Sequence, residues 1–440
     1  MRRAMALLLM AACGGDPRLV RIQLITPVDE DPTATVEEYM LSAEHPDLGG
    51  ARQTFAAGEA PFELPAIEPG DGWVFEVEGR VLDAPWALGR SCPTDIPAEG
   101  ELPEPVIYFS LLRQFARAGA LDGPRTWPAV LPLTDGAVLA LGGDPGGLPM
   151  RYAMDHAGFD RADGPVMGVV QVAQLDEGFL ATGETSAAWR IGAAGDITEI
   201  AAPEAARVGA RLAGLGDGRV LLSGGQSGAT FQEETWIFGP QQGAFQPGPA
   251  ATPRRDHTAS EVGRDNVLLL GGRDAAGALV SAEVLTDQPP AFQLTPLAVA
   301  RWQHTATVLA GDAGVLVAGG RGASGQPLAD VEIYDPTGLG SRITLPAADS
   351  LAFARAGHTA TPIAEGRFVL IAGGWGVDET PVATAELYDV ERRQFRPTDD
   401  LLAPRAGQAA LVLCDGKVLF VGGEGEGAQS AEIYNPDPGL

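Results

Sequence analysis

Lysine is almost absent from this chain: Lys417 stands alone among 440 residues, and 58 acidic side chains leave a formal net charge of −28. So acidic a surface repels phosphate backbones, and nucleic-acid binding is excluded as the main function. Aromatic residues make up only 6% while hydrophobic residues reach 45%, so the cores must be built from Ala, Val and Leu, and disorder is excluded as the dominant state. The sequence holds three cysteines and five histidines. It has no Cys-x-x-Cys pair, no phosphate-loop lysine and no Gly-x-Ser-x-Gly elbow, so the common signatures of zinc, nucleotide and serine-hydrolase sites are missing. Beyond the N-terminus no stretch approaches the ~18 apolar residues of a membrane-spanning helix, and helical periodicity is lacking throughout. What is abundant is punctuation: 58 glycines and 35 prolines argue for many short strands.

The first residues, MRRAMALLLMAAC, place two arginines before an apolar run from Ala4 to Ala12 and end in Cys13. This reads as a secretory signal too short to span a bilayer. Leu9-Met10-Ala11-Ala12-Cys13 resembles the bacterial lipoprotein box, which implies cleavage before Cys13 and acylation of its thiol. A signal over 1–12, a lipidated tether over 13–18 and a cell-envelope location, periplasmic or surface-exposed, are the expectations. The alternative is an ordinary secretory signal with Cys13 a bystander.

From residue 113 onward the sequence repeats. Apolar runs end in glycine pairs at 142–143, 224–225, 271–272, 319–320, 373–374 and 422–423, and a weaker copy keeps Gly183 followed by Glu184. The spacing is that of propeller blades. Turn signals such as Asp217-Gly218 and Asp415-Gly416 precede the runs. Upstream of these lies an arginine, followed in the best copies by His-Thr-Ala (RRDHTAS, RWQHTAT, RAGHTAT), and downstream a third strand such as DVEIYDP or TAELYDV. Four strands per unit, Gly-Gly closing the second and Glu-apolar-Tyr in the third resemble the Kelch repeat, in the form of the galactose-oxidase-like propellers. The resemblance implies an all-β fold of seven four-stranded blades over 113–440, with the blade near 162–203 degenerate. The last copy stops after its third strand, and Arg113-Gln114-Phe115 echoes Arg393-Gln394-Phe395. Residues 113–118 are therefore expected to supply the missing outer strand and close the ring. Residues 19–112 read as a small antiparallel β-sandwich of six or seven short strands.

Several residues are candidates for chemistry. With this topology Cys92 and Cys414 fall where a disulfide could join sandwich to propeller; two inert thiols are the alternative. Arg207, Arg254, Arg301, Arg355 and Arg405 recur with Glu234, Glu283, Glu332, Glu386 and Glu432, and are expected to form a structural clasp across each glycine pair. A ligand-binding arginine ring is the competing reading. His257, His304 and His358 hold one repeat position on three blades; such positions diverge around a wide channel, so they read as structural and no metal is expected. The galactose-oxidase resemblance implies copper with two tyrosines, one linked to cysteine, and two histidines, but the cysteines and histidines here follow other patterns, so no cofactor is expected. The loops after the glycine pairs should share one face, where Arg273, Asp274, Arg321, Trp375, Asp378 and Glu424 could bind a protein or glycan. That makes a lipid-anchored binding module the leading expectation, with a carbohydrate-active enzyme of the sialic-acid mutarotase kind or a structural envelope component as alternatives.

Overall fold

A computed structural model describes residues 5–13, 16–27, 29–58, 67–203, 207–262, 266–286, 292–293, 296–335, 341–344 and 349–437. Seven four-stranded antiparallel sheets fill the chain from Phe115 to Tyr434. Blade 1 spans residues 129–161, blade 2 170–200, blade 3 211–247, blade 4 258–293, blade 5 305–344 and blade 6 359–397. Blade 7 takes three strands from 409–434 and its outer strand, Phe115–Ala120, from the other end of the chain. The first strands of adjacent blades contact one another all the way round, the last meeting the first, so they enclose a central channel. Most second strands, such as Val138–Leu141 and Phe368–Ala372, are buried along their whole length. That burial is why they are apolar without alternation: each is covered by a blade on either side.

The ring closes through a repeated contact. Phe115 pairs with Tyr434 in register, its ring 4.9 Å from the tyrosine's, as Phe395 pairs with Tyr388 in blade 6 at 5.0 Å. The echo between the two Arg-Gln-Phe segments is therefore the same cross-strand aromatic pair used twice.

The N-terminal region forms two facing sheets. One holds Gly49–Ala56, Glu38–His45, Gly70–Val81, Ala84–Arg90 and Ser110–Leu111, with Thr94–Ile96 attached; the other holds Met5–Cys13, Asp16–Ile25 and Val106–Tyr108. Val20, Ile22 and Leu24 from the second pack with Leu41, Phe75 and Val77 from the first. Two details depart from the sequence reading. Asp16–Ile25 runs parallel to Val106–Tyr108, so the sandwich is not purely antiparallel. Strand Asp16–Ile25 also starts inside the stretch expected to be a tether over 13–18, and strand Met5–Cys13 pairs antiparallel with it in the full-length chain.

The sandwich shares a core with the propeller, where Ile25 and Tyr108 pack with Val138, Leu419 and Ile433. Asn435 fastens the join: its side-chain amide donates to the carbonyls of Leu88 and Ser110, each at 2.9 Å. Cys92 and Cys414 are joined as a disulfide with their Cα atoms 5.0 Å apart. Among the described residues no helix is long and apolar enough to cross a membrane.

Candidate functional site

Six blades carry an arginine whose guanidinium reaches the carbonyl of the first glycine of its own blade's pair: Arg125, Arg207, Arg254, Arg301, Arg355 and Arg405. Arg301 shows the complete clasp, donating to Gly319 O at 2.8 Å, Asp330 O at 2.9 Å and Glu332 Oε1 at 2.8 Å. Glu332 in turn accepts from the backbone N–H of Ala298 at 2.8 Å. Arg254–Glu283, Arg355–Glu386 and Arg405–Glu432 repeat the arrangement. Each pair is thus buried and hydrogen-bonded to its own blade, which makes it structural. Glu234 departs from the expected pattern. Its side chain is exposed and 4.0 Å from Arg207, because the strand register puts Trp236, not Glu234, at the position of Glu283. Besides Gly224 O, Arg207 bonds the backbone carbonyl of Glu234 rather than its carboxylate. In blade 1 the carboxylate comes from Asp122 in the preceding link.

The glycines of each pair are required by crowding. At Gly319, φ is +59° and an added Cβ would stand 2.6 Å from Arg355 O and 2.8 Å from His358 Cε1; at Gly320 it would meet His304 Cβ at 2.7 Å. His257, His304 and His358 are buried between blades, each sharing a hydrogen bond through Nε2 with Ser223, Thr258 or Thr305 of the blade before it. Burial, reinforced by nearby arginines, lowers the pKa of all three, that of His358 to about 3. They are neutral latches, and their nitrogens do not converge.

The channel mouth is built on a belt of backbone. Trp127, Gly209, Asp256, Gln303, Gly357 and Gly407 all take positive φ, between 52° and 71°. Asp256 N–H donates to Gly209 O, and in the same way Gln303 donates to Asp256, Gly357 to Gln303, Gly407 to Gly357 and Trp127 to Gly407, over 2.6–3.1 Å. Blade 2 breaks the belt, and there the Glu184 carboxylate accepts from Gly209 N–H at 3.3 Å.

On this belt lies an arc of stacked side chains crossing four blades. Arg273 sits 4.0 Å over the Trp302 ring, Arg321 lies between Trp302 at 5.6 Å and Trp375 at 5.8 Å, and Trp375 faces Trp127 at 5.6 Å. The guanidiniums are held from below and beside: Arg273 Nε donates to Asp256 Oδ2 at 2.9 Å, and Arg321 reaches Gln303 at 3.2 Å and Glu379 at 2.7 Å. Glycine at 357 and 407 makes room, since a Cβ at Gly357 would stand 2.2 Å from the Trp375 ring.

Of the expected binding residues, Arg273, Arg321 and Trp375 come together here. Asp274 and Asp378 do not join them: their carboxylates accept N–H bonds from Ala276 and Thr380 and shape their own loops. Glu424 is exposed at the corresponding position of blade 7, bridged by its backbone to Ala406. The sequence reading missed Trp127 and Trp302, whose signal is their place one or two residues after a repeat arginine. It also missed Glu184. Burial raises the pKa of that carboxyl, with Asp256 adding to the shift and Arg211 and Arg255 opposing it. Arg211 opens the first strand of blade 3, and desolvation lowers its pKa against the opposing pull of Asp256 and Glu184.

In a search of solved structures the chain is similar to a fungal alcohol oxidase of the AA5 family in complex with copper, with 14% identity over 73% of this chain and 76% of that one and a TM-score of 0.58. The fold is a Kelch-type β-propeller. A second similar structure, YjhT, gives 15% identity over 60% of this chain and 92% of that one, with a TM-score of 0.48. No family model and no curated protein sequence matches the chain. The residues of this Kelch-type propeller do not fit a copper centre of the galactose-oxidase kind: the cysteines are paired with each other, the inter-blade histidines are separate latches, and no cluster of three His, Cys, Asp or Glu occurs among the described residues.

Proposed function

We propose that the chain is a lipid-anchored module of the bacterial cell envelope that binds a glycan across the mouth of its propeller. The observation that supports this is the arc from Arg273 through Trp302, Arg321 and Trp375 to Trp127. Indole faces offer flat apolar surface to the C–H face of a pyranose, and Asp256, Gln303 and Glu379 at their edges supply hydrogen-bonding partners for hydroxyls. Because the arginines are already held in place, the platform is organised before a ligand arrives. Glycan-array and calorimetric binding to the full chain is the test. Trp302→Ala and Trp375→Ala should each weaken binding about ten-fold or more. Binding only to envelope proteins, or affinity indifferent to both substitutions, would overturn it.

A second reading, a carbohydrate-active enzyme of the sialic-acid mutarotase kind, is favoured by Glu184. A carboxyl at the channel mouth whose pKa burial raises suits proton transfer at an anomeric centre. Accelerated anomer interconversion followed by NMR, abolished in Glu184→Gln, would replace the binding reading. If neither binding nor turnover is found, a structural envelope role remains. Anchoring is tested by labelled-palmitate incorporation, which should disappear in Cys13→Ala. Cleavage before Cys13 would also remove most of strand Met5–Cys13 and expose the edge of Asp16–Ile25.

A further inference from the structure

Blade 2 is the one blade without an arginine clasp, and the backbone identifies what replaced it. The second glycine of each pair donates its N–H to the carbonyl of the next blade's arginine, as Gly225 does to Arg254 O at 2.8 Å and Gly272 to Arg301 O at 2.9 Å. In blade 1 the same donor, Gly143 N–H, meets Gly168 O at 3.1 Å. Gly168 therefore stands where the arginine would be. The loop that follows is also cut short: residues 184–187 join the second and third strands of blade 2, where blade 4 uses 271–281 and blade 5 uses 319–330. A missing side chain and a low rim together leave a cavity of about 720 Å³.

The cavity shares Trp127 with the arc beside it but differs from it in charge. Trp127 and Trp189 supply aromatic surface, Met167 a thioether, Asp144 and Glu184 carboxylates, and no arginine or lysine lines it. The basic groups near Glu184, Arg211 and Arg255, act on it together with Asp256 and do not line the cavity. Burial already disfavours the Glu184 carboxylate, so a cation placed against it gains where water alone does not serve it. In the other blades the clasp holds a guanidinium among carbonyl and, in most, carboxylate oxygens; in blade 2 Trp189 takes the register of those glutamates and Glu184 supplies the carboxylate beside it.

We propose that the cavity over blade 2 is a binding site for a guanidinium group, supplied by a free guanidino compound or by an arginine side chain of a peptide. The ligand's planar cation stacks on indole and bonds carboxylate, the contacts that suit this group best.

The test is calorimetry on the full chain with agmatine and with short peptides that differ only in arginine against uncharged, isosteric citrulline. Agmatine and the arginine peptide should bind, and the citrulline peptide at least about ten-fold more weakly. A peptide much tighter than agmatine identifies a peptide ligand; equal affinities identify the free compound. Gly168→Arg is the decisive variant. An added Cβ there meets no atom within 4 Å, so the chain's own guanidinium should fill the cavity and abolish agmatine binding while the melting temperature holds or rises. Glu184→Gln, which keeps an acceptor for Gly209, should weaken agmatine about ten-fold. Agmatine binding unchanged in Gly168→Arg, equal affinity for the arginine and citrulline peptides, or no agmatine binding at millimolar concentration would each overturn the proposal. It does not rest on the glycan reading: the two share only Trp127, Gly168→Arg leaves Trp302, Arg321 and Trp375 in place, and glycan binding is read separately.

Discussion

At the scale of single residues, the repeat arginines are unequal in a way that can be measured. Arg355 is fully buried against Glu386, a carboxylate only slightly exposed. Arg355→Ala strands that buried charge and should destabilise the chain by about 3–5 kcal/mol in urea unfolding. Arg207→Ala should cost clearly less, because Glu234 remains solvated. The histidines supply a pH dependence. His358 keeps its ring neutral down to about 3 against an ordinary value of 6.5. As pH falls below about 6.5 the unfolded chain takes up a proton that the native ring refuses, so stability falls toward acid, by up to about 1.4 kcal/mol per pH unit for each such histidine. His358→Gln should remove one histidine's share of that slope between pH 7 and 5. Glutamine is already tolerated at this place, since Gln408 occupies it in blade 7 and donates to Ala372 O at 2.8 Å.

At the scale of elements, the glycine pairs and the closing strand are where the fold is most sensitive. Gly319→Ala would put a Cβ against the Arg355 carbonyl at positive φ, so about 1–3 kcal/mol of stability should be lost. Phe115 packs against both Phe420 and Tyr434. Phe115→Ala should cost about 3–5 kcal/mol, and hydrogen exchange should show blade 7 opening first, since its outer strand is joined to it only through the opposite end of the chain. The strands and their order were legible in the sequence because most blades repeat the same physical demands: an apolar second strand, a crowded glycine pair and an aromatic partner in the outer strand. The error at Glu234 came from the same source. The repeat calls for a glutamate and Glu234 is the nearest one, but two residues before Phe238, which pairs with Val220 as Tyr334 pairs with Val315, stands Trp236.

At the scale of the whole molecule, sandwich and propeller are joined by a shared core, by Asn435 and by the Cys92–Cys414 disulfide, which links residues 322 apart in sequence. Cys92→Ser should lower stability by about 2–4 kcal/mol under oxidising conditions, and adding reductant to the unsubstituted chain should reproduce the loss while leaving the variant unchanged. Among the described residues the buried charges balance, seven basic against seven acidic, so the net charge of −28 belongs to the exterior.

The sequence by itself determined the Kelch-type propeller, its seven blades and the closure of its ring, because backbone crowding and strand burial act within one repeat and recur in each. The candidate site was only partly legible. Arg273, Arg321 and Trp375 could be named from loop position, but Asp274 and Asp378 differ from them only in where their carboxylates turn. Tertiary structure decided that Trp302 and Trp127 complete an arc across four blades, and that the loss of one arginine at Gly168 opens a cavity rather than collapsing. Both depend on side chains from separate repeats meeting around the channel, a distance relation that no single repeat contains.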